Sequence, residues 1–384
     1  MYSLDGYGSM IADRVRVDAY AQALRETVRE GSVVVEIGTG PGIWAVLACQ
    51  LGARRVYAIE PSAIIQVARE VAASNGCADK IEFFEEFSNR VTLPTRADIV
   101  LSDLRGVLPL LERHIPAIVD ARGRFLAPGG TLIPRKDTLW AAIVEAPKPY
   151  SELVDPWEHN AFDQDLSPAR RLIVNHVQKV TVGADRLLTA ARLWTTLDYN
   201  SVENPDVQGN LEWRVERAGT GHGLVVWFDA DLVDGIGFSN APSESERETV
   251  YGSLFLPWTQ PVPLEPGQSL AVNLEAKLIE EDYVWRWTTR IEPQNGSGAS
   301  PIHFEQSQLA GEVLSAAKLH RRAAAYVPHL SEEGRLRRRT FELMDGEVSL
   351  GEIARQLAAE FPERFHRWEQ ALSYVGAISQ EYSL

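Results

Sequence analysis

The sequence predicts an α/β fold with a parallel sheet, followed by an antiparallel β-barrel domain and a small, mostly helical C-terminal domain. In the first part of the chain, short β-branched runs alternate with helical spacing, which indicates a parallel sheet covered on both faces. Two-residue alternation then dominates, as in an antiparallel sandwich or barrel. Helical spacing returns after a stretch rich in Gly, Ser and Pro. The predicted domains are 1–146, 147–300 and 301–384.

The elements follow one another with short connections. Apolar side chains at three- and four-residue spacing predict a helix over residues 1–30, and the run SVVVEIG at 32–38 predicts a buried strand. Further strands and helices of the parallel region are predicted, in chain order, at 43–52, 55–60, 62–75, 80–87, 97–103 and 130–140. Alternation places one apolar face on each of the antiparallel segments 223–232, 269–278 and 283–291.

The composition of the chain excludes several classes of protein function. The 384 residues include 53 acidic and 38 basic side chains, a net charge of −15, and such a surface repels a nucleic-acid backbone. No apolar run approaches the roughly 18 residues that span a bilayer, and the N-terminus is charged from Asp5 onward, unlike a signal peptide. Cys49 and Cys77 alone form neither a disulfide framework nor a zinc site. We therefore expect a cytoplasmic protein with no nucleic-acid, membrane or metal partner.

The strongest local motif is VEIGTGPG at 35–42, where the first predicted strand ends. Its glycines, Gly38, Gly40 and Gly42, let backbone N–H groups approach a ligand at the start of a helix. Glu60 ends the next strand, where a carboxylate can accept both hydroxyls of a ribose. The G-x-G-x-G spacing is one residue shorter than the dinucleotide motif, which argues against NAD or FAD. A tight structural turn with a surface glutamate is the alternative.

Residues 33–62 resemble the S-adenosyl-L-methionine site of class I methyltransferases, and more narrowly that of protein arginine methyltransferases. The resemblance spans about residues 7–290 and includes MIADRVRVDAY at 10–20, FLAPGGTLIPRKDTLW at 125–140, PWEHNAFD at 156–163 and GFSNAPSE at 237–244. It implies a Rossmann-like methyltransferase domain and a β-barrel domain for substrate binding and dimerisation. It also implies S-adenosyl-L-methionine as cofactor, S-adenosyl-L-homocysteine as product, and a homodimer.

The same resemblance assigns the cofactor contacts. Arg16 is expected to bind the carboxylate of the cofactor, Met10 to pack near it, and Glu60 to bind its ribose. For Arg16, a plain surface charge is the alternative, and for Tyr7, Phe87 and Ser88 a packing role is equally compatible with the sequence. The full set of predicted cofactor-binding residues is Tyr7, Met10, Arg16, Glu36, Gly38, Gly40, Gly42, Glu60, Phe87 and Ser88.

The family's double-acid loop has a counterpart at residues 102–112, which we call the acid loop. It opens with Ser102-Asp103 and supplies Glu112 nine residues after Asp103. By the resemblance, Asp103 and Glu112 are the catalytic residues. A guanidinium is planar and presents its N–H donors in a fork. Two carboxylates can therefore hold it bidentately and orient one nitrogen toward the sulfonium methyl group. A strand-end cap at Asp103 and a solvated charge at Glu112 are the alternatives.

Two departures from the family pattern leave the identity of the methyl acceptor undecided. The first acid, Asp103, replaces a glutamate, so its carboxylate sits back by roughly 1.5 Å, about one bond length. The family's Thr-His-Trp motif is absent, and Glu248-Thr249-Val250 aligns in its place. The contact by which that histidine orders the acid loop is therefore expected to be lost. His222 is a possible substitute, but a structural histidine is the simpler interpretation.

The C-terminal region is not part of the arginine methyltransferase pattern. TFELMDGEVSLGEIARQLAAEFP at 340–362 resembles PqqD-type winged-helix modules, whose relatives bind the leader peptides of ribosomally made natural products. An inert helical cap is the alternative. The arginine run at 335–339 indicates a solvated helix face, given the acidic composition of the whole chain.

The leading hypothesis is a methyltransferase that transfers a methyl group to a guanidinium or related nucleophile of a peptide or protein held by the acid loop. A methyltransferase acting on O, N or C of a small natural product or metabolite is the alternative on the same fold. A cofactor-binding regulatory protein that has lost turnover is the alternative of another class.

Overall fold

A parallel sheet forms the first part of the molecule, as predicted. The computed structural model describes residues 3–242, 249–294 and 299–383. The strands of this sheet are β1 (Val33–Ile37), β2 (Arg55–Ile59), β3 (Ile81–Phe84), β4 (Ala97–Ser102) and β5 (Leu126–Ile133). They are ordered β3-β2-β1-β4-β5, and every neighbouring pair is parallel. β1 is buried along its whole length, as expected for an apolar strand covered on both faces.

The N-terminal segment forms two helices where the sequence predicts one. The helices that accompany the parallel sheet are α1 (Leu4–Ala12), α2 (Arg14–Thr27), α3 (Ile43–Gln50), α4 (Ile65–Ser74) and α5 (His114–Arg124). Asp13 separates α1 from α2 because its backbone is extended and its carboxylate caps α2, accepting the backbone N–H of Arg16 at 3.2 Å. The same carboxylate accepts the backbone N–H of Val250 at 2.9 Å. Asp13 thereby ties the start of α2 to the antiparallel region.

The second region consists of two antiparallel sheets, where the sequence predicts a closed barrel. Its strands are β6 (Lys136–Val144), β7 (Gln178–Val180), β8 (Arg192–Asp198), β9 (Val207–Arg214), β10 (Gly219–Val233), β11 (Ile236–Ser239), β12 (Ser253–Leu264), β13 (Ser269–Ile279), β14 (Asp282–Ile291) and β15 (Ile302–Ser307). One sheet runs β7-β12-β10-β6-β8, with β11 paired to β10, and the other runs β15-β14-β13-β9. Within the described residues, no strand pairing joins the two sheets into a ring.

Side-chain packing, rather than strand pairing, holds these two sheets together. The Trp287 indole on β14 donates its N–H to the Pro257 carbonyl on β12 at 3.1 Å. The rings of Trp258 on β12 and Phe304 on β15 lie 5.9 Å apart. Each sheet has one apolar face, and packing the two faces buries both without closing a barrel.

A helix covers the other face of the six-stranded sheet. The remaining helices of this region are α6 (Pro147–Glu158), α7 (Ser167–Ile173) and the short α8 (Gln308–Gly311). Tyr150 and Leu153 of α6 pack with Val225, Trp227 and Phe255 of the sheet in a second apolar core. The antiparallel sheet is therefore buried on two sides, like the parallel sheet before it.

The chain divides into two compact units, Met1–Glu312 and Val313–Leu384. The antiparallel strands begin at Lys136 and end at Ser307, so they extend beyond the predicted segment 147–300 at both ends. The antiparallel region begins earlier than predicted because of the segment 130–140, which the sequence pattern predicts as one strand. In the structure it contributes first to β5 of the parallel sheet and then to β6 of the antiparallel sheet.

The second unit is helical in its described residues and has its own apolar core. Its helices are α9 (Ala316–Arg322), α10 (Glu332–Leu343), α11 (Leu350–Glu360) and α12 (Trp368–Tyr382). Leu336, Ile353, Leu357 and Val375 lie at the centre of this core. α11 begins with a capping box between Ser349 and Glu352. The helical part of the prediction is confirmed, and no strand that could form a wing lies among the described residues of this unit. Across the described chain, no helix is long and apolar enough to cross a membrane.

We expect Trp287→Ala to lower the free energy of unfolding by about 3–5 kcal/mol, because it removes a fully buried ring from between the two antiparallel sheets. Trp287→Phe keeps most of the ring volume and loses part of the packing and the N–H donor to Pro257, so its loss of stability should be smaller. Urea unfolding of both variants measures the difference. A loss below about 1 kcal/mol for the alanine variant would contradict this packing.

Candidate active site

The predicted glycine motif forms a left-handed turn between β1 and α3. Gly38, Gly40 and Gly42 have φ angles of 75°, 50° and 84°, which favour glycine. A Cβ atom at Gly38 would lie 2.4 Å from the Leu104 side chain, and one at Gly40 would lie 2.7 Å from the Tyr7 ring. The first two glycines are therefore required by local crowding as well as by backbone conformation. The turn brings the predicted residue Tyr7 and the acid loop to the carboxyl end of β1.

Two buried glutamates flank this turn, as the sequence predicts. Glu60 accepts the backbone N–H of Gly40 at 3.1 Å through Oε2, while its Oε1 accepts from the backbone and the hydroxyl of Ser62. Glu36 accepts the Thr39 hydroxyl at 2.7 Å through Oε2. Its Oε1 is buried without a hydrogen-bond partner among the described residues, although the backbone N–H of Ala45 faces the carboxylate. A buried oxygen without a donor marks a place where a ligand can bind.

Burial changes the titration of Glu36. Removal from water raises the pKa of Glu36 to about 8, against the opposing effects of the Thr39 hydroxyl and the Ala45 backbone. A donor or a positive charge brought to the free oxygen would favour the ionised carboxylate. The side chain is thus suited to a cationic or hydrogen-bond-donating ligand.

The N-terminal helices place two more predicted residues beside the turn. The Arg16 guanidinium is buried and donates from Nη1 to the Met10 carbonyl at 3.2 Å. Met10 itself is half-buried. Arg16 is therefore no surface charge, which excludes the alternative interpretation of this residue.

Phe87 and Ser88 follow β3 in the chain, and the described residues they contact do not belong to the glycine turn. The Phe87 ring is exposed, with the Arg90 guanidinium 5.9 Å from its centroid. Ser88 is buried, and its carbonyl accepts from Arg124 of α5 at 2.7 Å. Among the described residues, these contacts do not connect either side chain to the glycine turn.

Asp103 is the centre of a buried ion-pair cluster. Its side chain is 6% exposed, and Arg16 Nε donates to its Oδ2 at 2.5 Å. Arg105 Nη1 donates to its Oδ1 at 3.1 Å. The Tyr251 hydroxyl lies 2.9 Å from Oδ2 and 3.0 Å from Oδ1. Burial opposes ionisation, but the two guanidiniums outweigh it and hold the pKa of Asp103 below its ordinary value.

Sequence reasoning missed two of these partners, Arg105 and Tyr251. The family's histidine contact is absent, but Tyr251, which directly follows the segment that aligns with the missing Thr-His-Trp motif, makes a contact of its own to Asp103. The available signal was an aromatic residue directly after Thr249-Val250. Glu248, which the alignment places in the same motif, lies outside the described residues. Arg105 carries no sequence signal beyond standing two residues after Asp103.

The other predicted acid, Glu112, lies at the exposed tip of the acid loop. Its backbone is left-handed, with φ 42°, and its N–H donates to the Asp282 carboxylate at 3.1 Å. Next to it, Arg113 donates to the Glu280 carbonyl at 3.1 Å. The tip is thus held against the β13–β14 hairpin. No hydrogen bond or ion pair within the described chain brings the Glu112 carboxylate to Asp103.

His222 has a structural role, as the simpler interpretation expects. Its Nδ1 accepts the backbone N–H of Ala146 at 3.2 Å, and its ring packs edge-on against Tyr150. Burial lowers the pKa of His222, so the ring is neutral near pH 7. These contacts account for the residue without a role at Asp103.

We expect Glu36→Gln to raise the free energy of unfolding at pH 8 by a few kcal/mol. Between pH 4.5 and about 8, folded Glu36 holds a proton that the unfolded chain has lost, so wild-type stability falls as pH rises through this window. Glutamine carries no such proton, so the gain should shrink to nothing near pH 4.5. Urea unfolding at several pH values measures it, with the exposed Glu82→Gln as control. A difference independent of pH would contradict the burial argument.

Two family models match the chain in succession. The model described as ribosomal protein L11 methyltransferase (PrmA) matches residues 19–146, and the model described as arginine methyltransferase oligomerization subdomain matches residues 135–283. The two matches meet where the parallel sheet gives way to the antiparallel sheets.

Relatives and solved structures agree with these matches. The probable protein arginine N-methyltransferase 6 of Arabidopsis thaliana is 29% identical over 253 residues, 64% of this chain and 57% of that protein. The chain spans about half the length of the curated relatives it matches. The Trypanosoma brucei PRMT1 enzyme-prozyme complex with AdoHcy has a TM-score of 0.71 at 19% identity, covering 78% of this chain and 97% of that chain. Arabidopsis thaliana protein arginine methyltransferase 10 has a TM-score of 0.70 at 21% identity, covering 80% and 98%. The chain therefore has the fold of the arginine methyltransferases, and its sequence is similar to theirs.

Proposed function

We propose that the chain is an S-adenosyl-L-methionine-dependent methyltransferase whose acceptor is a guanidinium of a peptide or protein. The observation that carries the proposal is the glycine turn with its two buried glutamates, one of which keeps an oxygen without a donor. The names of the similar proteins support the same activity.

The residues at the turn fit this cofactor. Glu36 would accept a donor at its free Oε1, and Glu60 would accept ribose hydroxyls through the lone pair that Gly40 leaves on Oε2. Arg16 uses Nε and one N–H of Nη1 in its bonds within the protein, so further guanidinium N–H groups are free to bind a carboxylate. Tyr7 would cover the turn from the side of α1. When bound, S-adenosyl-L-methionine supplies an activated methyl group on a sulfonium.

The chain's own task is then to bind and orient the acceptor. Asp103 is fixed and ionised by its cationic neighbours, and three donors occupy its roughly four lone-pair sites, which leaves about one for the acceptor. Glu112, at the exposed tip, would hold a cationic acceptor from the solvent side. The acceptor nitrogen gains the methyl group and loses a proton, for which Glu112 is the accessible base. Orientation of this kind accounts for most of the rate that a protein adds to an activated donor.

One observation favours a second candidate, a methyltransferase for a small uncharged acceptor. A bidentate grip on a guanidinium needs one free lone pair on each carboxylate oxygen. Arg16 and Arg105 already donate to opposite oxygens of Asp103, and Tyr251 lies within bonding distance of both. In this arrangement Asp103 can accept a single N–H or O–H, which suits a metabolite hydroxyl or amine as well as an arginine.

We further infer a homodimer, a cytoplasmic location and a peptide-binding role for the C-terminal unit. The matched oligomerization subdomain supports self-association through the antiparallel region. Two buried, unpaired cysteines are compatible with a reducing compartment. The C-terminal unit has its own helical core and a capped α11, which is compatible with a peptide-binding module of the PqqD type.

Binding of S-adenosyl-L-methionine, measured by calorimetry, should weaken at least about tenfold in Gly40→Ala and in Glu60→Ala. The first variant pushes a methyl group into the Tyr7 ring, and the second removes the oxygens that hold Gly40 and Ser62. Gly129→Ala is the matched control, because Gly129 also has a positive φ but has open space around it. Absence of binding to the wild-type protein would overturn the proposed function.

Glu112→Gln should lower kcat on an arginine-bearing peptide by at least about tenfold and leave cofactor binding unchanged. The carboxylate is exposed, so the substitution should not affect folding. Mass spectrometry of reactions with arginine-bearing peptides, free arginine and metabolite pools identifies the acceptor class. Glu212→Gln, an exposed acid on β9, is the control. Full activity of Glu112→Gln on arginine peptides would refute the two-acid arrangement, and methylation of metabolites alone would favour the second candidate.

A further inference from the structure

A second buried carboxylate, Asp137, lies behind Asp103 and outside the predicted site. Asp137 belongs to β6 and is fully buried. Its Oδ2 accepts from Arg105 Nε at 2.8 Å and from the Tyr199 hydroxyl at 2.6 Å. A buried carboxylate destabilises the folded state unless donors or positive charges pair with it. The fold supplies such partners here, so this contact is not an incidental surface interaction.

Asp137 is connected to both ends of the acid loop. Near the start of the loop, Arg105 joins Asp137 to Asp103 through two different nitrogens of one guanidinium. Just after the loop, His114 begins α5, and its Nε2 lies 3.1 Å from the Tyr199 hydroxyl that also bonds Asp137. The Asp137 carboxylate on the antiparallel sheet therefore holds the acid loop in place near both of its ends, at Arg105 and at His114.

The Arg105 guanidinium has little freedom to move. Besides its two acids, it donates to the Tyr20 hydroxyl at 2.9 Å. Its central carbon lies 5.3 Å from the Phe228 ring centroid and 5.6 Å from that of Phe238, as in cation–π packing. Its side chain is fully buried, so a substrate cannot contact it directly.

We propose that Arg105 and Asp137 are positioning residues for Asp103, which set the place of the acid loop and the orientation of the Asp103 carboxylate without touching the acceptor. This inference rests on the proposed methyltransferase function. It assigns Asp137, Arg105, Tyr199 and His114 to a chain of hydrogen bonds behind the reacting groups. Outer contacts of this kind commonly change rates by about 10–100-fold when removed.

The test is the double variant Arg105→Met/Asp137→Asn. Removing Arg105 alone would leave Asp137 buried without a cationic partner and risk unfolding, whereas removing both charges together is often tolerated. Methionine is flexible enough to fill the space of the arginine stem, and asparagine keeps an acceptor for Tyr199. We expect intact folding, unchanged cofactor affinity and a kcat lowered at least about tenfold, with a smaller change in KM.

The pH dependence separates positioning from simple stability. The titratable and charged groups that face Asp103 are Arg16 and Tyr20 of α2, Arg105 of the acid loop, His114 of α5, Asp137 of β6 and Tyr251 before β12. In the double variant, loss of Arg105, which donates directly to Asp103, should raise the pKa of Asp103, and loss of the more distant Asp137 carboxylate opposes this only in part. Activity that requires ionised Asp103 should therefore fail at a higher pH. The acidic limb of the kcat profile is expected to move to higher pH.

A measurement without turnover keeps this inference distinct from the proposed function. Carbon-13 NMR of labelled aspartate carboxyls, with Asp103→Asn for assignment, should show the Asp103 titration moving to higher pH in the double variant. If this shift occurs but the wild-type protein methylates nothing, the positioning contact stands and the proposed function fails.

Two controls complete the design. The double variant Glu145→Gln/Arg217→Met removes a different ion pair, which shares no partner with this network among the described residues, and should change neither kcat nor the pH profile. Tyr199→Phe keeps both charges but detaches His114 from Asp137, and it should lower kcat severalfold while folding is preserved. An unchanged kcat and NMR titration in Arg105→Met/Asp137→Asn would overturn the proposal, as would a loss of cofactor binding equal to the loss of kcat.

Discussion

The site depends on the buried ion pair between Asp103 and Arg16. Asp103 follows β4, Arg16 belongs to α2, and Tyr251, which contacts both, precedes β12. Three segments far apart in the chain therefore meet at one carboxylate. Taking two charges out of water costs several kcal/mol per ion, and only close, well-directed partners offset that cost. The positions of α2, the acid loop and the antiparallel sheet are consequently coupled. Displacement of any one of them would leave a buried charge without its partner in apolar surroundings.

The parallel half of the fold and its glycine turn were predictable because their signals are local. The strand Val33–Ile37, the glycines after it and Glu60 lie within about one β-α-β unit, and each signal constrains the next. Aromatic residues in the alternating segments were equally informative, since strand alternation places them on one face. Five tryptophans of the antiparallel region are buried, namely Trp213, Trp227, Trp258, Trp285 and Trp287.

The partners of Asp103 could not be predicted, because they depend on long-range packing. Arg105 has the same sequence environment as any charged loop residue, and only Asp137 and the rings of Phe228 and Phe238 make its burial possible. Tyr251 comes from a segment where the family pattern directs attention to a histidine. The predicted barrel is not shown by the described strands, for a related reason. Alternation shows that a strand has an apolar face, but it does not show whether the edge strands pair with each other.

The acidic composition and the cationic surroundings of Asp103 act over different distances. A net charge of −15 attracts cations from within about a Debye length, roughly 8–10 Å, of the surface. At Asp103, however, Arg16 and Arg105 already balance the carboxylate, so this acid adds little attraction for a further cation. Under the proposed function, attraction of a cationic acceptor would then come from Glu112 and the exposed surface around it. Asp103 is left to orient the reacting group, and the two acids that the sequence pattern presents as equivalent would have separate roles.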